Sequence, residues 1–136
     1  LRMDKRTAHE IVTLVQWHDR DIPRTEKAIA RAVHQLGEDT FRRLLAIKRA
    51  DNLAQHPDYR GRLTEIDRAE AILDGLLAKQ ACFSLRDLAV NGGDLLALGL
   101  RGPAVGHTLN ALLEQVLDGT LPNEREMLLD AVRRLP

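Results

Sequence analysis

The sequence predicts an all-α fold, a bundle-like array of about seven to eight helices joined by short loops. Apolar residues make up 44% of the 136 residues but aromatic residues only 3%, so Leu, Ile, Val and Ala must build the core. This composition favours packed helices, because sheets are enriched in aromatic and β-branched residues. Apolar positions also recur at helical spacing along most of the chain, and no segment has a convincing strand pattern.

Four helices are predicted in the first half of the chain. Their apolar stripes lie at residues 11–15, 28–36, 41–47 and 63–77. The first helix should end near His18, because a proline follows and the residue before a proline avoids helical angles. Gly37 is placed to end the second helix. The third should run to about Gln55, where His56-Pro57-Asp58 breaks the chain, and the fourth should continue to about Gln80.

The start of the second half is marked by a capping pattern. Ser84 and Asp87 have the spacing of a capping box, in which each side chain bonds the backbone N–H of the other residue. A turn at residues 91–93 should then lead to a short helix from Asp94 to Leu98.

Two more helices are expected towards the end of the chain. An apolar stripe at residues 105–117 predicts a longer helix, which Gly119 closes. The last helix should start with Asn123 as its N-cap and Glu126 three residues later.

A glycine-rich stretch, G-L-R-G-P-A-V-G, occupies residues 99–106. Its first glycine is placed to end the preceding helix. Pro103 fits the first position of the next helix, which makes Gly102 the N-cap. Since a glycine cap has no side-chain oxygen, we expect the amides of Ala104 and Val105 to stay available at the positive end of the helix dipole. An anion such as a phosphate group can bind there.

The neighbours of this helix start suit a nucleic-acid contact. Gly106 has no Cβ, so a backbone can approach closely, and Arg101 and His107 flank the opening. The spacing L-x-x-L-G-x-x-G-P-x-x-G resembles a helix-hairpin-helix element, which holds a nucleic-acid backbone through loop amides without reading bases. The alternative is a tight, well-capped turn without a ligand, because glycine and proline are ordinary turn residues.

A longer pattern surrounds this stretch. Residues 87–106 read D-L-A-V-N-G-G-D-L-L-A-L-G-L-R-G-P-A-V-G and precede an apolar helix and the pattern G-x-x-x-N. Over residues 84–135, this order of elements resembles the C-terminal part of bacterial CCA-adding tRNA nucleotidyltransferases. Residues 49–54, R-A-D-N-L-A, and residues 14–19, L-V-Q-W-H-D, are similar to earlier segments of the same proteins.

The resemblance implies a body-and-tail region that holds tRNA for the chain's own N-terminal catalytic head, in a parent enzyme of the transferase class. In that family the head binds Mg²⁺ through a D-x-D motif and uses CTP and ATP, so no cofactor and no catalytic residue is expected here. The only D-x-D of the chain, Asp19-Arg20-Asp21, lacks the preceding glycine-serine motif. The resemblance leaves open whether the parent adds CCA, CC, A or poly(A), because that choice resides in the head.

We expect a helical body segment at residues 1–80 and a helical tail at residues 81–136, as one compact unit cut from a longer enzyme. The 20 basic residues are balanced by 20 acidic ones, so a general basic coat for nucleic acid is excluded. Contact with RNA is therefore either led by amides or supported by cations of the first half. Those cations are Arg42, Arg43, Lys48 and Arg49.

Two other functions compete with this hypothesis. His18-Asp19 is the doublet that names the HD-type metal-dependent phosphohydrolases, although no other histidine shows ligand spacing. A helical interaction or oligomerisation module is the second alternative, with an exposed apolar face that docks on the missing head or forms a dimer.

A single cysteine, Cys82, excludes an internal disulfide and is interpreted as a small buried side chain. Without a bilayer-length apolar run or a signal-peptide pattern, we expect a cytoplasmic protein with no membrane partner.

Overall fold

A computed structural model describes residues 4–55 and 61–136 of the chain. Every regular element within these residues is helical, which confirms the predicted all-α class. The helices are α1 (Lys5–His18), α2 (Glu26–Leu36), α3 (Glu38–Ala54), α4 (Gly61–Ala78), α5 (Gly92–Ala97), α6 (Pro103–Leu117) and α7 (Arg125–Arg133). A single 3₁₀ turn at Leu85–Asp87 precedes α5. The predicted break at residues 56–58 lies outside the described residues.

The chain divides into two compact units, Leu1–Lys79 and Gln80–Pro136. In the first unit α2, α3 and α4 pack against one another. Their predicted apolar stripes form the core, in which Ile29, Phe41 and Leu73 are completely buried. Gly37 ends α2 with a φ of +83°, a backbone angle that glycine adopts without steric cost, so α3 starts at the next residue.

Helix α1 differs from the other helices of the first unit. It packs on α3 but contributes no buried residue, and Ile11, Val12 and Val15 are 44%, 54% and 61% exposed. The helix itself and its end near His18 were predicted correctly, and the structure adds Asp4 as its N-cap. Three of the four apolar residues of its stripe, however, stay exposed within this unit.

In the second unit the core is built around Leu95, Leu113 and Leu128. Helix α5 packs on α6, and the 3₁₀ turn also contacts α6. The predicted capping box at Ser84 is present, with the Asp87 carboxylate accepting from the Ser84 N–H at 3.2 Å. It caps only the 3₁₀ turn, because Leu88 returns to an extended conformation.

Two predicted helix starts in this unit are corrected by the structure. Helix α5 begins at Gly92, two residues before the predicted start at Asp94, because Asn91 and Asp94 form a second capping box. The Asn91 side chain accepts from the Asp94 N–H, and the Asp94 carboxylate accepts from the Asn91 N–H. Helix α7 begins at Arg125 with Glu124 at the N-cap position, so Asn123 does not cap it.

In the described ranges, 4–55 and 61–136, no helix combines the length and the apolar character that a bilayer crossing requires.

Candidate nucleic-acid interface

The glycine-rich stretch joins α5 to α6, and its first half closes α5. Gly99 has a φ of +100°, the left-handed conformation predicted for a helix end. Its N–H donates to the Leu96 carbonyl at 3.0 Å, and the Leu100 N–H donates to the Leu95 carbonyl at 3.1 Å. This pair of bonds is a Schellman motif, which satisfies two of the carbonyls left open at a helix end.

The second half of the stretch starts α6 as predicted. Gly102 is the N-cap, with a φ of +59° and no side-chain capping bond, and Pro103 occupies the first helical position. One part of the prediction is wrong: the Val105 N–H is not available, because it donates to the Gly102 carbonyl at 3.2 Å. The Ala104 N–H has no acceptor among the described residues and stays free at the helix start.

Gly106 faces open space on the first turn of α6. A Cβ built at this position would meet no atom of the described chain within 4 Å, apart from its own helix backbone and chain neighbours. Its φ also lies outside the left-handed region. The fold therefore does not require glycine at residue 106. Alanine would be more favourable there, because glycine lowers helix stability by roughly 1 kcal/mol relative to alanine.

The Arg101 side chain is already engaged within the turn. Its Nη1 donates to the carbonyls of Leu96 and Leu100, at 2.8 and 2.7 Å, and so covers the carbonyl end of α5. The other guanidinium nitrogens make no hydrogen bond within the described chain, and the residue is exposed. His107 is exposed and follows the first turn of α6. Arg101 is held beside the helix start by its bonds to the turn.

The opposite end of α5 is tied to α7 by an ion pair. Arg125 Nη2 lies 2.8 Å from Asp94 Oδ1, while the other Asp94 oxygen accepts from the Asn91 N–H. The bond from Arg125 is the largest cause, and the bond from the Asn91 N–H the next, of a pKa of the Asp94 carboxyl group below its ordinary value. Asp94 thus stays ionised at neutral pH and neutralises one of the few cations of this unit.

The four cations expected to support RNA contact in the first unit are bound to groups of that unit. Arg42 pairs with Glu38 and Asp74, Arg43 with Glu10, and Arg49 with Asp67 and Glu70. Lys48 Nζ donates to the carbonyls of His18 and Arg20, at 3.1 and 2.6 Å. They hold α1, α3 and α4 together rather than forming an open basic patch.

The His18-Asp19 doublet has a local structural role. His18 Nδ1 lies 2.6 Å from the Val15 carbonyl, and Nε2 lies 3.2 Å from Asp19 Oδ1. In the part of the chain that the structure describes, no three His, Cys, Asp or Glu side chains converge as metal ligands.

Asn123 has a role that sequence reasoning missed. Its Oδ1 accepts from the Ala89 N–H at 2.9 Å, and its Nδ2 donates to the Asp87 carbonyl at 2.8 Å. It therefore joins the loop before α7 to the segment before α5. The amide side chain is able to do this because it offers a donor and an acceptor side by side.

These elements define an all-helical module whose glycine-capped helix start carries a free amide. A family model described as "tRNA nucleotidyltransferase domain 2 putative" matches residues 1–132. The chain belongs to this family, which confirms the resemblance seen in the sequence.

Two curated relatives support the same assignment. The CCA-adding enzyme of Limosilactobacillus fermentum is 46% identical over 50 residues, which cover 36% of this chain and 12% of that enzyme. The CCA-adding enzyme of Lacticaseibacillus paracasei is 47% identical over 47 residues, which cover 34% of this chain and 12% of that enzyme. The chain thus matches about an eighth of the length of either relative. No solved structure matches the chain.

Proposed function

We propose that this chain is the part of a CCA-adding-type nucleotidyltransferase that holds tRNA, in the cytoplasm, for a catalytic head on the same protein. The start of α6 would contact tRNA phosphate, through the Ala104 N–H and the open surface at Gly106. Arg101, Gly102, Val105 and His107 complete the proposed site. Family membership and the 12% of each relative that the chain matches support this assignment.

The single observation that supports the phosphate contact is that neither backbone conformation nor packing requires glycine at residue 106. Gly102 needs its positive φ, whereas Gly106 is helical and has free space where a Cβ would stand. Such a glycine permits the close approach of a ligand backbone, and Gly106 differs from the similar Gly75 of α4 because it lies at the start of its helix. The free Ala104 amide lies two residues before it, at the positive end of the α6 dipole.

The remaining residues have distinct parts in this proposal. Gly102 shapes the helix start, and its missing side chain leaves the Ala104 amide to the phosphate group. The Val105 N–H is held by Gly102 and would contribute through the helix dipole alone. Arg101 and His107 would add charge and hydrogen bonds beside the amide. Because few cations contribute, we expect weak binding with a shallow salt dependence, a log–log slope of about −1 to −2.

The test is fluorescence anisotropy of labelled tRNA with the chain and its Gly106→Ala and Gly106→Leu variants. Both variants should unfold at higher denaturant concentration, because the helix gains roughly 0.5–1 kcal/mol when this glycine is replaced. Binding of tRNA should weaken about tenfold or more in Gly106→Leu, because the side chain keeps the phosphate group from a charge-assisted bond.

Gly75 offers a matched control. It lies inside α4, and a Cβ there would also meet nothing within 4 Å in the described chain. Gly75→Ala should therefore raise stability by a similar amount and leave the tRNA affinity unchanged. Unchanged affinity in both Gly106 variants would refute the phosphate contact at α6.

The exposed apolar face of α1 favours a second candidate function, which is docking on another protein surface, such as the head or a second copy. Ile11, Val12 and Val15 lie on this face and are all more than 40% exposed. A fraction of dimer that rises with protein concentration, in a chain that has no affinity for tRNA, would favour this function over RNA binding.

A further inference from the structure

An arginine in the segment after α1 is held in place by three contacts. The Arg20 N–H donates to the Trp17 carbonyl at 3.0 Å, and the Arg20 carbonyl accepts from Lys48 Nζ at 2.6 Å. The side chain lies over the indole ring of Trp17, with Cζ 4.5 Å from the ring centroid. Such a cation–π contact orients a guanidinium group without using its N–H donors. Arg20 is nevertheless exposed, so the fold presents an ordered guanidinium group at the surface.

Lys48 binds the backbone of this segment to α3. Its ammonium group also donates to the His18 carbonyl at 3.1 Å, so it bonds the segment at two points. Lys48 is partly buried, and burial is the largest cause of a pKa of its ammonium group below the ordinary value. A charge in such a position is stabilised by hydrogen bonds to carbonyl groups. The position of the Arg20 backbone is therefore set by a core helix.

Arg20 differs from the other cations of the cleft that opens beside it. In the described chain this cleft is lined by four Asp and Glu residues and by four Lys and Arg residues, namely Arg20, Arg24, Lys48 and Arg62. Arg24 is bound to two of the carboxylates, Lys48 to the two carbonyls, and Arg62 has an interaction of its own. The Arg20 guanidinium group makes no hydrogen bond and no ion pair within residues 4–55 and 61–136. Its N–H donors therefore remain available to a ligand.

The acidic residues of the cleft determine which ligand fits. They are Asp19, which contacts His18, Asp21 and Glu65, which bind Arg24, and Asp51, which accepts from Gln55. Asp19 and Asp21 flank Arg20 in the chain and reduce its attraction for an anion by charge alone. The ligand must therefore gain from geometry, as phosphate and carboxylate groups do when two of their oxygens accept parallel N–H bonds from one guanidinium group. Of these two groups, phosphate is the one that the proposed function supplies.

We propose that Arg20, stacked on Trp17, binds a phosphate group through two N–H donors of its guanidinium group. The phosphate belongs either to the RNA backbone, which rests on the proposed function, or to a free nucleotide or phosphate ion. This site lies in the first unit and shares no residue with the start of α6. Because the guanidinium group is already ordered and the bond is bidentate, lysine is not an equivalent replacement for Arg20.

The first test is fluorescence anisotropy of labelled tRNA with the chain and its Arg20→Ala and Arg20→Lys variants. Arg20→Ala should weaken binding about tenfold and make the log–log salt slope shallower by about 1, because one phosphate contact is lost. Arg20→Lys keeps the charge but not the two parallel bonds, and should weaken binding about fivefold. Arg68→Ala is the matched control, because Arg68 is exposed on α4 and has no ion pair within the described chain. It should change the affinity by less than about twofold.

The second test uses Trp17, the only tryptophan of the chain, to report binding of free phosphate. Inorganic phosphate in the millimolar range should change the Trp17 emission at constant ionic strength, whereas chloride should not, because a ligand on the guanidinium group alters its contact with the indole ring. Arg20→Ala should abolish this change, and Arg68→Ala should keep it. An equal response to acetate would overturn the choice of phosphate, in favour of a carboxylate ligand such as an acidic protein surface.

The outcomes separate this inference from the proposed function. Affinity for tRNA that falls in Arg20→Ala but not in Arg68→Ala would support the site with RNA as the source of the phosphate. A phosphate response that requires Arg20, in a chain that does not bind tRNA, would support the site with a free ligand and contradict the proposed function.

Two results would overturn the inference and leave the proposed function standing, both without a phosphate response of Trp17. The first is affinity for tRNA that Gly106→Leu weakens and Arg20→Ala leaves unchanged. The second is an equal loss in Arg20→Ala and Arg68→Ala, which would indicate a general attraction between basic residues and RNA. A chain that binds neither tRNA nor phosphate would overturn both proposals.

Discussion

Replacement of Asn123 tests how the second unit holds the start of α5 in place. Asn123 is the residue that bonds the backbone on both sides of Leu88, through the Ala89 N–H and the Asp87 carbonyl. The Ala89 N–H is partly buried, whereas the Asp87 carbonyl is reached by solvent. Asn123→Ala removes both bonds and supplies no replacement.

The expected loss of stability follows from the two bonds. A neutral hydrogen bond contributes about 0.5–1.5 kcal/mol, and a buried group left without a partner costs about 1–3 kcal/mol. Water can replace Asn123 at the exposed Asp87 carbonyl but only partly at the Ala89 N–H. We therefore expect Asn123→Ala to lower the free energy of unfolding by about 1.5–2.5 kcal/mol. Asn123→Asp keeps the acceptor for Ala89 and should lose about half as much.

The assay is urea unfolding followed by circular dichroism, with Asn110→Ala as the control. Asn110 is exposed on α6, and alanine favours a helix, so this variant should be as stable as the parent chain or slightly more stable. If Asn123→Ala stays within about 0.5 kcal/mol of the parent, the two bonds do not hold the segments together. Equal losses in Asn123→Ala and Asn123→Asp would instead show that the Ala89 bond adds nothing.

Two further predictions concern titratable groups of the second unit. Because Arg125 and the Asn91 N–H lower the pKa of Asp94, its contribution to stability is complete above about pH 4 and is lost as the pH falls through the lower pKa of the folded state. The midpoint temperature of thermal unfolding should therefore fall less steeply between about pH 5 and pH 2 in Asp94→Asn than in the parent chain. Equal slopes of midpoint temperature against pH would contradict this role. Burial, and then the charge of Asp87, raises the pKa of the Cys82 thiol to about 11. Iodoacetamide at pH 8 should react with the folded chain about 100-fold more slowly than with the chain in denaturant, and fast labelling of the folded chain would show an accessible thiolate.

Helix boundaries were predictable where a local signal sets them. Gly37 and Gly119 end helices through positive φ angles, and Pro103 fixes the start of α6. The apolar period located α2, α3, α4 and α6 because these helices bury one face each. Helix α1 has the same period but an exposed stripe, since burial depends on a packing partner that the pattern does not reveal.

The errors come from residues with two competing bonding options. Asn91 and Asn123 both precede helices, and both have the side chain of a good N-cap. Asn91 caps α5, while Asn123 bonds residues 34 and 36 positions earlier in the chain. A bond over that separation depends on the packed structure, so a local rule assigned Asn123 wrongly. The late start predicted for α5 has another cause: Asn91 was assigned to a turn, although its local capping box with Asp94 starts the helix.

The candidate cations show the same limit of sequence reasoning. The pattern of Arg42, Arg43, Lys48 and Arg49 indicated a charged surface, but their acidic and carbonyl partners come from α1, the segment after it, α3 and α4. Surface ion pairs of this kind contribute little stability each, about 0–1 kcal/mol, and can exchange partners. Because these four cations are paired, the proposed phosphate contact depends mainly on the amide at the start of α6.

Three glycines near that helix start differ in what the fold requires of them. Gly102 requires its φ of +59°, and a Cβ at Gly92 would contact Val105 at 3.4 Å. Gly102 is therefore explained by its conformation, whereas the contact at Gly92 is an ordinary van der Waals distance that alanine would tolerate. Gly106 has neither constraint, so the fold alone would permit alanine and gain stability from it. Gly106 lowers the stability of its own helix and lies beside the free Ala104 amide, so it is the position at which the proposed function should be tested first.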